Sequence, residues 1–283
     1  TGVQTCALPI SLWFRNIKIF ARNRVQLVFT IIMPFFFLYV FSAIFKNDTI
    51  QNPVNYMLAG IVITTVFQTS LTIATSTIED IVSGFMKEVL VSPVKRIQIA
   101  AGQLLSAATI ATMQGIIILF IGYFIGLKFT SFITPFEVIA VMIVVGLVFS
   151  GLGLFLATLV KDSQTFQIVV TAITMPLTFL CGAYIPLSLL PKVLQYVAYF
   201  NPMTYTTAFF RTIILEKTNL TTNQLIAEQL AFKIGNFVIT PIISMVIVLI
   251  FGMIFLLLST FVFSKVDFSK INRSKSKEAD IFS

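Results

Sequence analysis

The stretch Ile97 to Leu127, IQIAAGQLLSAATIATMQGIIILFIGYFIGL, carries no charged residue, and its reading decides the fold. A helix needs about 20 apolar residues to cross a hydrocarbon core of about 30 Å, and this run exceeds that length. Working outward, similar uncharged runs occupy Val25 to Phe45, Tyr56 to Ile78, Phe166 to Tyr184 and Asn236 to Phe263. A sixth, Pro135 to Val160, has a single charge, Glu137, near its end. The runs are continuously apolar, without the alternation a transmembrane barrel requires, so helices are the expected spanning form. The fold expected is therefore all-α and polytopic, with six transmembrane helices.

Composition agrees with that reading. The 283 residues are 57% hydrophobic and 11% charged, whereas soluble domains carry about 25% charged residues. One ionised side chain at mid-bilayer costs about 3 kcal/mol or more, so lipid-facing surface tolerates almost no charge. The net charge of +8 does not form a basic groove with interleaved aromatics, which argues against nucleic acid as a partner. There is no histidine, and of the two cysteines Cys6 is near the start while Cys181 lies in an apolar run, so neither a disulfide framework nor a metal site is expected.

The opening string TGVQTCALPI resembles a translated sequencing adapter and has neither the basic start nor the apolar core of a signal peptide. Residues 1–10 are accordingly expected to be a non-native scar. Residues 11–24, SLWFRNIKIFARNR, set Arg15, Lys18 and Arg22 against Trp13, Ile17 and Phe20 at helical spacing, the pattern of an amphipathic elbow helix lying along a membrane surface. Residues 25–263 form the six-span domain, and residues 264–283 a basic tail.

Six spans place both termini on one side. Of the 19 Lys and Arg, 13 fall on the terminal side and 6 on the other, so the positive-inside rule makes both termini cytoplasmic. The long segment Ile185 to Gly235, broken by Pro186, Pro191 and Pro202, reads as short re-entrant helices between spans five and six. Within it Arg211 is expected either to pair with Glu216 or to anchor at the outer interface.

The largest cytoplasmic connection, Glu79 to Arg96, mixes acids and bases with the apolar core FMKEVLV. Helical spacing puts Phe85, Val89 and Ser92 on one side, Lys87 and Glu88 flank them, and Pro93 ends the helix. A loop free in water has no reason to carry Phe85 and Leu90, so a partner is expected to pack there. The spans hold no central Asp, Glu, Lys or Arg to carry coupling charge, and the chain has no GxxxxGK[ST] phosphate loop. Any ATP-driven motion must then come from another polypeptide.

Four stretches resemble the membrane-spanning permease of type-2 ATP-binding-cassette (ABC) exporters. They are the elbow and first span with Pro34; the loop with Glu79, Gly84, Leu90, Pro93, Val94 and Arg96, followed by Gly102; the turn GLGLFLATLVKDSQTFQ; and MPLTFLCGAYIPLSLLPKVLQYVAYFNPMTYTTAFFR. In the last, Pro176, Gly182, Pro186, Pro191, Asn201, Pro202, Thr204, Tyr205 and Arg211 match, while Cys181 replaces the usual serine and Met203 the usual leucine. The resemblance implies a permease subunit that is not itself an enzyme and binds no cofactor, with ATP and Mg on separate nucleotide-binding ATPase subunits. It implies coupling through Glu79, Gly84, Phe85, Glu88, Leu90, Pro93 and Arg96. It implies an exit region around Pro176, Gly182, Pro186, Pro191, Asn201, Pro202 and Tyr205.

The partners it implies are the ATPase, a second permease copy or paralogue, and the lipid bilayer, in the cytoplasmic membrane of a bacterial cell. The expected cargo is a hydrophobic or amphipathic drug or lipid-like molecule. A lipid-linked polysaccharide exporter and a non-transporting membrane scaffold are the alternatives.

Overall fold

A computed structural model describes residues 2–44, 53–83, 96–127, 129–160, 162–218, 220–234 and 237–265. The helices are α1 (Gly2–Arg22), α2 (Arg24–Ile44), α3 (Pro53–Thr72), α4 (Ala74–Val82), α5 (Arg96–Ile125), α6 (Thr134–Leu159), α7 (Ser163–Leu180), α8 (Lys192–Tyr199), α9 (Pro202–Ile214), α10 (Thr222–Ala227) and α11 (Pro241–Lys265), with a 3-10 turn at Leu187–Leu189. A small antiparallel hairpin pairs β1 (Phe232–Ile234) with β2 (Phe237–Ile239), Phe232 opposite Ile239.

Among the described residues five helical segments are long and apolar enough to cross a membrane: Asn55–Asp80, which joins α3 to α4, then Arg96–Ile125, Thr134–Leu159, Ser163–Leu180 and Pro241–Phe263. The α1 and α2 pair, bent by 71° at Asn23, supplies a sixth if it is taken as one broken span. The molecule is an all-α polytopic membrane protein.

Span boundaries differ from the sequence reading at three places. The first helix begins at Gly2, so it runs through most of the string expected to be non-native, with Pro9 inside it. Span five stops at Leu180 rather than Tyr184, because the chain turns at Gly182, whose φ of +79° is left-handed and suits glycine. Span six starts at Pro241 rather than Asn236, because Phe237–Ile239 pair as a strand; counting apolar residues does not separate a buried strand from a helix.

Helices α3, α5 and α6 form the spine, each packing on the other two. Phe67 and Phe149 meet edge to face at its centre, 4.7 Å between centroids, and both are fully buried. Lipid offers no hydrophobic drive between helices, so close approach of backbones does much of this work. A Cβ on Gly146 would lie 3.0 Å from the Ala108 Cα, so glycine lets α6 ride on α5. Helix α11 covers α6, and α9 is packed on α3, α6 and α11, its residues Met203 to Ala208 all buried. By contrast α7 fully buries only one stripe, Phe166, Val170, Thr174 and Thr178, one residue per helical turn.

Candidate functional site

Of the expected coupling residues, Gly84, Phe85, Glu88, Leu90 and Pro93 lie outside the described residues. Glu79 and Arg96 flank them. Glu79 does not open a loop: it is exposed on α4, which continues to Val82, and Arg96 opens α5. The helix continues through Asp80 because that acid is neutralised. Asp80 is buried and forms an ion pair with Arg15 of α1, and it accepts a 3.5 Å hydrogen bond from the Gln103 Nε2. Buried Asn16 donates to the Gln103 Oε1 at 2.7 Å and to the Ser106 Oγ at 2.9 Å, and the Trp13 indole N–H donates to the Thr109 hydroxyl at 3.0 Å. Helix α1 thus rests on α5 through Leu12, Asn16 and Phe20, and is tied to α4 by a charge pair. Sequence reasoning placed Arg15 on a solvated face and missed this network; the signal was an acid sitting one turn from the end of an apolar run.

The expected exit residues come together more closely. Pro176 lies inside α7 on an exposed side. Asn201 caps α9, its Oδ1 accepting from the Met203 N–H at 2.9 Å, and Pro202 follows at the first helical position, where a missing N–H costs nothing. The Asn201 Nδ2 also donates to the Leu177 carbonyl at 2.7 Å, which ties the start of α9 to the last turn of α7, where carbonyls lack helical partners. The Tyr205 hydroxyl donates to the Tyr199 carbonyl, drawing α8 against α9. Pro186 and Pro191 precede the 3-10 turn and α8 respectively, and Pro191 is exposed.

Neither expectation for Arg211 holds. It is 2% exposed, donating from Nε to the Tyr56 carbonyl at 3.3 Å and from Nη2 to the Gly182 carbonyl at 3.1 Å. Glu216 instead reaches the loop before α6: its carboxylate accepts from the Thr130 and Ser131 N–H groups at 3.0 and 2.9 Å and from the Thr134 hydroxyl at 2.7 Å. The Ser131 amide first, and then the Thr134 hydroxyl, hold its carboxyl below the usual glutamate range. The α6 N-terminus has no side-chain cap of its own; Glu216 clasps the loop before it and touches the helix only through the Thr134 hydroxyl, 82 residues away.

A cleft of about 300 Å³ opens between α2 and α3, with Gln114 of α5 at its back. Its wall is unexpectedly polar for a bundle this apolar. Gln26 and Thr30 come from α2 and Thr65, Gln68, Thr69 and Thr72 from α3, and no lining residue is ionisable. Gln114 donates from Nε2 to the Thr30 hydroxyl at 3.0 Å and accepts from Thr69, so three helices meet around one amide. Pro34 also lines the cleft; it cannot donate to the Thr30 carbonyl four residues back, which leaves that acceptor free within α2. Sequence reasoning missed the site because each polar residue is isolated within its own run. Among the described residues no group of His, Cys, Asp or Glu could hold a metal ion.

These features define a multi-pass membrane protein with a neutral polar cleft and buried polar ties at the helix ends. The chain belongs to the ABC-2 type transporter family, whose model matches residues 10–215. It is 27% identical over 247 residues to a protein named as the transport permease ycf38 of Cyanophora paradoxa, covering 84% of this chain and 82% of that one. It is 30% identical over 138 residues to the "Probable multidrug ABC transporter permease YbhR" of Escherichia coli (strain K12), covering 48% of this chain and 37% of that one. Nodulation protein J of Rhizobium leguminosarum bv. viciae is 28% identical over 117 residues, 41% of this chain and 44% of that protein. With the last two the chain aligns over less than half of their length.

Proposed function

We propose that this chain is the membrane-spanning subunit of an ATP-driven exporter of hydrophobic or amphipathic molecules. It has six spans when α2 is counted, and both termini are cytoplasmic. ATP and Mg are bound by separate ABC ATPase subunits, and a second permease copy or paralogue completes the assembly in the cytoplasmic membrane. The observation that carries this reading is the cleft between α2 and α3: it offers hydrogen bonds to a cargo but no ionisable group that could carry coupling protons or sodium. The energy must then enter from outside the spans. The segment from Glu79 to Arg96 is the surface the ATPase grips, and α1, tied to α4 through Arg15 and Asp80, is the elbow that moves with it. The unit from Gly182 to Ile239 caps the exit. The name of the similar YbhR, which speaks of multidrug transport, supports a drug-like cargo.

The test is co-reconstitution with a candidate ABC ATPase from the same genome. Vesicles holding both should hydrolyse ATP and accumulate or expel a fluorescent amphiphile in an ATP-dependent way. Vesicles that hydrolyse ATP no faster than the ATPase alone and move no amphiphile would sink the exporter reading.

A further inference from the structure

The cleft also speaks to what is carried, an inference that rests on the exporter reading above. We infer that it receives the uncharged, hydrogen-bonding head of an amphipathic molecule, one bearing hydroxyl or amide groups, while the apolar part stays outside along α2.

The groups in the wall fall into two sets. Thr30, Thr69 and Gln114 hydrogen-bond to one another and hold three helices together. The other set keeps capacity to spare. Thr65 and Thr72 give their protons to the Ile61 and Gln68 carbonyls, both at 2.8 Å, which leaves oxygen lone pairs as acceptors. Gln68 is exposed and commits one amide hydrogen to the Thr178 hydroxyl at 3.3 Å, leaving a second hydrogen and a carbonyl oxygen. The Gln26 Oε1 accepts from the Asn23 Nδ2 at 3.2 Å, and its amide hydrogens remain. The wall therefore offers both donors and acceptors, and a hydroxyl or an amide matches that mixture because it is both at once.

Charged heads match poorly. A cation removed from water needs a carboxylate or stacked aromatic rings, and the lining has no acid and one ring, Phe29. An anion needs Lys, Arg or an open helix N-terminus, and the lining has no basic residue. Size separates head from tail as well. About 300 Å³ stands at the lower bound for small-molecule pockets, enough for a head group but not for a long chain with it. Phe29 and Met33 at the cleft wall, continued by Phe36, are exposed along α2 and give the tail an apolar track leading out of it.

The full chain in lipid nanodiscs, with empty nanodiscs as the blank for bilayer partition, allows a direct test. Tritiated dodecyl maltoside, dodecyltrimethylammonium and dodecyl sulfate share one tail and differ only in the head. The maltoside should bind saturably and about tenfold more tightly than either charged probe. Gln68→Leu should weaken maltoside binding by about tenfold with an unchanged melting midpoint, and Gln26→Leu supplies the same readout should the first variant fold poorly. Non-saturable maltoside binding, a charged probe binding as tightly, or variants that bind maltoside like the parent would each overturn the inference. None of those results would touch ATP-dependent transport in the co-reconstituted vesicles, so the exporter reading stands or falls separately.

Discussion

The Arg211 guanidinium carbon sits 3.4 Å from the centroid of the Tyr56 ring, so a buried cation is held by an aromatic face and two backbone carbonyls rather than by an acid. That arrangement joins the last turn of α9 to the start of α3 and to the Gly182 turn. Arginine suits it because a planar guanidinium stacks and donates in two directions at once, which an ammonium cannot do.

Arg211→Lys should therefore lose stability despite keeping the charge, and Arg211→Ala should lose about 2 to 4 kcal/mol, because a cavity opens against the Tyr56 ring and the Gly182 carbonyl loses its donor. Thermal unfolding of the purified protein in detergent measures this. A lysine variant that melts with the parent would show that the fork geometry does not matter.

Glu216 carries a pH prediction. Its folded carboxyl is held below its unfolded value, so its contribution is fully present above the ordinary glutamate range and fades as pH falls through the folded value. Amide exchange at Thr130 and Ser131, referenced to unfolded-peptide rates, should be slow at neutral pH and rise in that acid window. In Glu216→Gln the same amides should exchange fast throughout, and a parent-like pH profile in that variant would remove Glu216 as the clasp.

Gly60 faces the turn at Ala183 so closely that an added Cβ would lie 2.6 Å from the Ala183 carbonyl oxygen. That obstacle is backbone and cannot swing aside. Gly60→Ala should destabilise by about 1 to 3 kcal/mol, and Gly60→Val by more, read by the same unfolding assay. An alanine variant as stable as the parent would mean that the two backbones can separate freely.

On the proposed coupling role, replacing Phe85 and Leu90 with Asp should leave the protein inserted in the membrane while ATP hydrolysis by a co-reconstituted ATPase no longer drives transport, because a charge buried at such a contact would be desolvated without a partner. Co-reconstituted vesicles that still transport at the parent rate would remove this segment as the grip.

What the sequence made legible was the part set by length and apolarity. Spans three and four were read nearly to the residue, since Ile97 to Leu127 and Pro135 to Val160 fall on α5 and α6. The Asn201-Pro202 cap was legible because capping is local chemistry. The β1–β2 hairpin was not, although Gly235-Asn236 between two β-branched or aromatic runs is a recognised hairpin signal. Arg211 and Glu216 were paired by proximity in sequence. The chain leaves α9 at Leu215 and Glu216 takes a left-handed φ of 55°, which sends the two side chains to different neighbours. The cleft and the Arg15 and Asp80 pair were invisible for a common reason: their members are scattered over separate helices, and only packing brings them together.

The way α7 is held has a mechanical side. Phe166, Val170, Thr174 and Thr178 recur once per turn on its buried stripe, and polar ties from Gln167 to Thr75, from Gln68 to Thr178 and from Asn201 to the Leu177 carbonyl pin the same rod near both ends. Rolling α7 about its axis would break bonds to α4, α3 and the start of α9 together, so the edge helix is geared to its neighbours and turns only if they turn with it.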